Sequence, residues 1–236
     1  MRGKEIKRVA SACAITLALF VGLARPVVAD EEDERARVKD AAQVLREITR
    51  ADDKGIPAGL FERAKAIAVF PHVVRGAFII GGRWGKGVAV SRDAQGHWGP
   101  AGFLDLGGGS FGFQIGGDAT DVILFFIEED SLDKLLEDKV ELGANASVAA
   151  GPVGRSAEVG TNLTLDAAIY AYSRSKGVFA GVALDGTVIS MDNSANENAY
   201  GREIERQEVL SGKVPAPAIF APFVSTVKEL TPAAAR

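Results

Sequence analysis

The stretch YAYSRSKGVFAGVALDG, residues 170–186, decides the reading of the fold. Tyr170, Tyr172 and Ser173 close an apolar alternating run. Ser175-Lys176-Gly177 reads as a turn, because glycine adopts backbone angles closed to other residues. Residues 178–184 then read as a buried strand, and Asp185-Gly186 as a hairpin turn into Thr187-Val188-Ile189-Ser190-Met191. Nothing in the stretch is a catalytic group. Taken alone it predicts a hairpin in an antiparallel sheet.

Working outward, the same signals recur. Ala66-Ile67-Ala68-Val69-Phe70 is a predicted strand stopped by Pro71. Residues 77–82 form another, with Gly85-Lys86-Gly87 as a turn into Val88-Ala89-Val90. Residues 110–117 alternate strictly, which places Phe111, Phe113 and Ile115 on one face. Residues 121–127 read as a fully buried strand. Asp130 caps a predicted helix over 131–137. Strands resume over 140–150, 155–165 and 167–172, rich in small residues that suit a tightly curled sheet. Asn193 caps a short helix to Tyr200, residues 214–217 (VPAP) form a linker, and 218–230 is a last amphipathic helix. The 27 glycines fit many turns and short strands better than a helical bundle. The predicted class is α+β: a mostly antiparallel, strongly curled, barrel-like sheet with flanking N- and C-terminal amphipathic helices.

The first of those helices spans 34–50. With Arg35 at 0° and about 100° per residue, Val44, Ile48, Ala41, Leu45, Val38 and Ala42 fall between about 180° and 340°. Arg35, Arg46, Lys39 and Arg50 fall between about 0° and 60°. Two readings follow. In one, a surface helix packs on the core with its long basic side chains lying over the edge. In the other, the helix lies in a membrane interface.

The N-terminus reads as a secretory signal. Lys4, Lys7 and Arg8 precede an apolar run from Val9 to Ala24, and Val27-Val28-Ala29 suits signal peptidase, with cleavage after Ala29. The lone cysteine, Cys13, would leave with it, and with it disulfides and thiol chemistry. The mature chain would hold 22 Lys/Arg against 30 Asp/Glu, net −8. The charge is uneven: residues 35–92 carry 12 basic and 5 acidic residues, and 93–236 carry 10 and 20. A basic face near the N-terminus is expected. An acidic mature chain argues against nucleic acid as a partner.

Two motifs resemble active-site signatures and fail on context. Gly108-Gly109-Ser110-Phe111-Gly112 matches G-x-S-x-G, but that elbow needs a strand, a sharp turn and a helix. Here a strand is predicted after Ser110, and both histidines, His72 and His97, precede it. G-x-G-x-x-G at 107–112 needs a helix afterwards for the same reason. The two histidines lie 25 residues apart, a spacing that defines no metal site. The pair Asp118 and Asp121 reads as turn and strand-edge polarity rather than an acid–base pair.

The 170–186 stretch, with Ala68-Val69-Phe70-Pro71, Gly112-Phe113-Gln114-Ile115-Gly116 followed by Asp121, and Asn198-Ala199-Tyr200-Gly201, resembles the SYLF domain, a lipid-binding module. The resemblance covers roughly 35–201. It implies a curled antiparallel sheet with flanking helices and a non-enzymatic role. Eukaryotic members bind phosphoinositides, and some bind actin, through an N-terminal amphipathic helix with basic residues. By position that helix is 34–50, so the resemblance implies Arg35, Lys39, Arg46 and Arg50 as the lipid-binding residues. The expected organisation is a signal peptide over 1–29, a SYLF-like lipid-binding domain over 30–201 and a C-terminal helical extension over 202–236. The expected function is binding of anionic phospholipid at a membrane surface by an exported, periplasmic or secreted, protein, with no metal or cofactor. The alternative is a structural protein of the cell envelope that binds a protein partner through its acidic C-terminal half.

Overall fold

The computed structural model describes residues 27–49, 55–77, 81–110, 119–137, 139–152, 166–175, 178–181 and 184–232. The apolar run of the predicted signal, the alternating strand over 111–117, the predicted strand over 155–165, Arg50 and Asp118 lie outside them. Two units are distinguished, 1–33 and 34–236. The second carries all the packing discussed below.

Helix α1 (Val27–Thr49) and the short α2 (Ala58–Arg63) precede strands β1 (Ala66–Ala77), β2 (Gly81–Arg92), β3 (Trp98–Ser110) and β4 (Ala119–Phe126). Helix α3 (Glu129–Glu137) leads into β5 (Lys139–Glu141), β6 (Val148–Ala150), β7 (Ile169–Ser175), β8 (Val178–Gly181) and β9 (Thr187–Met191). Helices α4 (Asn193–Tyr200) and α5 (Arg206–Val209), a 3-10 turn (Ala218–Phe220) and α6 (Ala221–Leu230) follow. The strands make one sheet in the order β5-β9-β3-β2-β1-β4-β7-β6, with β8 also on β7. Among the described strands, the β6–β7 pair alone is parallel. The fold is α+β with a strongly curled, mostly antiparallel half-barrel, as the sequence predicts.

The sheet is buried on both faces, which is why its strands read as near-continuous apolar runs. In β1, Ile67 and Val69 join a cluster with Val38, Ala41, Ala42, Val44 and Leu45 of α1 and Phe223 and Val227 of α6. The alternate residues Ala66, Ala68 and Phe70 join the opposite cluster, with Leu132 and Leu135 of α3 and Val209 of α5. Residues beyond 201 therefore supply both cores: Ile204, Val209 and Leu210 on one face, Phe220, Phe223 and Val227 on the other.

The hairpin that organises the sequence reading is present. Strand β7 pairs antiparallel with β8 from Tyr172 opposite Gly181 to Ser175 opposite Val178. Gly186 takes φ 70° in a turn before β9, but this is not the hairpin that Asp-Gly signals: β9 pairs with β3 and β5, whereas β8 pairs with β7.

Two punctuation signals are overridden. Pro71 does not end β1; the strand runs to Ala77 with a register shift between Phe70 and Val73. The bulge absorbs the residue that cannot donate to the ladder. His72 sits there at φ 52°, and its backbone N–H donates to Asp121 Oδ1 at 3.0 Å. Gly85-Lys86-Gly87 is not a turn but the middle of β2, paired with Leu106, Asp105 and Leu104. Its glycines serve packing. A Cβ on Gly87 would lie 2.4 Å from the Phe70 ring, and one on Gly85 2.8 Å from Val73.

Candidate functional site

Helix α1 lies across the sheet and is fixed along two of its sides. Five residues of its apolar arc are buried: Val38, Ala41, Ala42, Val44 and Leu45 are at most 4% exposed. The packing reading of this helix therefore holds, and the arc is not available for insertion into a bilayer. The flank beside the arc is tied to the sheet by charge. Arg37 Nη1 donates to Asp192 Oδ2 at 3.1 Å, and its guanidinium lies 4.8 Å from the Phe103 ring centre. Asp40 stands 3.8 Å from His72 Nε2. Glu47 pairs with Arg174, which also holds the buried Asp121 carboxylate at 2.8 Å. Asp121 thus serves as an ion-pair and bulge anchor.

Asp192 is the hub of the first tie. Lys86 Nζ donates to its Oδ2 at 2.7 Å and to Asp105 Oδ1 at 3.0 Å. Its Oδ1 caps α4 by accepting from the Ala195 N–H at 3.2 Å. The sequence reading gave this cap to Asn193; Asp192 takes it one residue earlier. Burial works to raise the Asp192 pKa, but the bonds from Lys86, Ala195 and Arg37 outweigh it, so the carboxyl titrates below its usual 3.8. Burial likewise works against the charge on Lys86, and its bonds to Asp192 and Asp105 outweigh that, raising it above 10.5.

The sign for stability follows. A depressed carboxylate contributes stability above its unfolded pKa and loses it as pH falls through the folded one. Raised Lys86 contributes below 10.5 and loses its share as pH rises through its folded pKa. Asp192→Asn is expected to cost about 2 kcal/mol at neutral pH, the scale of hydrogen bonds to a charged group. The gap to wild type should close as pH falls below 3.8. Denaturant titrations at pH 7 and in acid measure it; a gap independent of pH would show that the charge of Asp192 contributes nothing.

The outer side of α1 carries Arg35, Lys39 and Arg46, all exposed. The fold thus brings three of the four sequence-predicted residues onto one solvent-facing stripe, while Arg50 lies outside the described residues. Sequence reasoning missed Arg37, Lys86 and Asp192. Arg37 falls at about 200° on the wheel, inside the apolar arc, which is the available signal that it turns inward.

The motif at 107–112 begins within β3, where Gly107 pairs with Trp84 and Ser110 with Gly81, and its last two residues lie outside the described ones. Ser110 is thus a strand residue up to the point where the description stops. Among the described residues, no group of His, Cys, Asp and Glu is arranged to hold a metal ion, and no helix is long and apolar enough to cross a membrane.

These features coincide with a known family. The model of the Ysc84 family, described as Las17-binding protein actin regulator, matches residues 107–230. That is more than half of the 236 residues, and the chain belongs to this family, in agreement with the SYLF resemblance. Protein YSC84 of Saccharomyces cerevisiae is 35% identical over 191 residues, covering 78% of this chain and 41% of the yeast protein. SH3 domain-containing YSC84-like protein 1 of Rattus norvegicus is 32% identical over 190 residues, 78% of this chain and 56% of the rat protein. LAS seventeen-binding protein 3 of the same yeast is 34% identical over 194 residues. The chain spans about half the length of the curated relatives it matches. The family description names an actin regulator, and LAS seventeen-binding protein 3 is named for binding another protein.

Proposed function

We propose that this protein binds anionic phospholipid at a membrane surface, without catalysis, through Arg35, Lys39, Arg46 and Arg50. One observation carries the reading: α1 is held by its apolar arc, and the basic stripe beside that arc is exposed to solvent. The mode is electrostatic. A buried arc leaves the helix no apolar contribution, and what the helix adds to binding is charge alone. The net excess of 12 basic over 5 acidic residues in 35–92 supports it. Co-sedimentation with anionic vesicles tests it, and binding must weaken between low and physiological salt, where the Debye length falls to about 8 Å. Binding that ignores salt would contradict it.

We place the protein outside the cytoplasm, exported by residues 1–29. The expected mature N-terminus is Asp30, read by N-terminal sequencing of periplasmic or secreted material; an intact Met1 in a membrane fraction would mean an anchor.

A second reading is supported by a specific feature. A cleft of about 980 Å³ is lined by Glu137, Glu197, Glu203, Glu205 and Glu208 against Arg202, Arg206 and Lys213. Arg202 is engaged bidentately by Glu208 at 3.1 and 3.2 Å, so the surplus charge there is acidic. With relatives and a family named for binding another protein, this cleft suits a basic segment of a protein partner.

A further inference from the structure

We propose that Trp84 and Val74 form a second membrane contact, a small apolar wedge that enters the interfacial zone of the bilayer beside the basic helix. The proposal rests on the lipid-binding reading above and extends it to residues outside α1.

The two side chains are the large hydrophobics that stand out as exposed among the described residues, Trp84 at 57% and Val74 at 44%. They are not scattered. Val74 and Trp84 are direct cross-strand partners in β1 and β2, so they stand side by side on one face. That face is the one α1 covers. Alternate residues of a strand share a side; Val88 and Val90 pack in the cluster with α1, and Trp84 and Lys86 follow them in register. Lys86 meets Asp192, the partner of Arg37 in α1, which fixes the same side independently. The helix with the basic stripe and the exposed indole therefore rise from one side of the sheet.

The local backbone is arranged to carry a flat ring. Gly82 lies two residues away on the same face, and a Cβ there would come 2.6 Å from the Trp84 ring. Across the ladder Trp84 faces Gly107. The indole lies over Gly82, while the space above Gly107 is open.

The chemistry selects the occupant. Two adjacent side chains are far too little for a stable protein interface, which needs on the order of 800 Å² per partner. They are enough for interfacial insertion, where an indole places its apolar body among acyl chains and its N–H among headgroups. The surrounding segment, 35–92, has the net positive charge that complements an anionic surface.

Tryptophan emission reads this directly. The chain has two tryptophans. Trp98 is 4% exposed, with Nε1–H donating to Thr231 Oγ1 at 2.9 Å, so Trp84 is the responsive one. The probe is vesicles of phosphatidylcholine and phosphatidylserine with brominated acyl chains. Binding is expected to shift emission to the blue and quench it, with both changes absent in Trp84→Phe. Trp84→Ala should bind these vesicles roughly tenfold more weakly, the factor that burial of one large apolar side chain supplies. Co-sedimentation without quenching, with the wild-type emission as unchanged by vesicles as that of Trp84→Phe, overturns the wedge and leaves the helix reading intact. No co-sedimentation at all overturns the helix reading and the wedge with it. A blue shift that grows with protein concentration in the absence of vesicles identifies a second copy as the occupant and also overturns the proposal. The wild-type quench needs no variant, so a Trp84→Ala protein that fails to fold leaves the test standing.

Discussion

Changing Arg35, Lys39, Arg46 and Arg50 to Glu together is expected to abolish binding to anionic vesicles while the domain stays folded. Each basic residue near an anionic surface is worth about 1 kcal/mol, so four supply roughly 4 kcal/mol. That is about three orders of magnitude in affinity, before the repulsion that the new carboxylates add. Folding should survive because Arg35, Lys39 and Arg46 are exposed and lie outside the buried arc of α1. Surface substitutions of this kind usually stay within about 0.5 kcal/mol each. A quadruple variant that melts like wild type and still sediments with anionic vesicles would leave α1 as a packing element only.

Leu45→Ala is expected to destabilise the protein by about 2–5 kcal/mol, the range for truncating a buried leucine. Leu45 is 0% exposed, packed with Val38 and Ala41 against the sheet cluster that holds Phe61 and Phe125. Alanine is the best helix former, so the loss cannot come from helix propensity. The measurement separates two views of α1. If the helix is part of the core, denaturant unfolding shows the full loss in one transition. If it rests loosely on the sheet and detaches to enter lipid, truncation inside its apolar arc costs almost nothing. A loss below about 0.5 kcal/mol, the level of a surface change, would contradict the docked helix on which the electrostatic mode depends.

Much of this architecture was legible because local signals agreed with the global fold. The Asp185-Gly186 turn, the short helix at 193–200 and the inward Phe220 and Phe223 follow from turn, cap and period rules. The basic stripe of α1 was legible from periodicity alone. The misreadings share one cause: a residue whose local meaning is set by a distant strand. Pro71 signals a strand end, yet a bulge and the Asp121 carboxylate, 50 residues on, let β1 continue. Gly85 and Gly87 signal a turn, yet they are small because Val73 and Phe70 of the neighbouring strand fill the space where side chains would go. The Asp192 hub joins residues 37, 86, 105 and 192, which no short window contains. Trp84 carries no sequence signal of exposure, since an aromatic in a strand ordinarily faces a core; yet it stands 57% exposed beside Val74.

The most direct test of the central claim is equilibrium binding of the folded protein to two vesicle sets, phosphatidylcholine alone and the same lipid with phosphatidylserine added, at low and physiological salt. The account predicts binding to the phosphatidylserine vesicles alone, weakened by salt. Equal binding to both sets, or to neither, would contradict it.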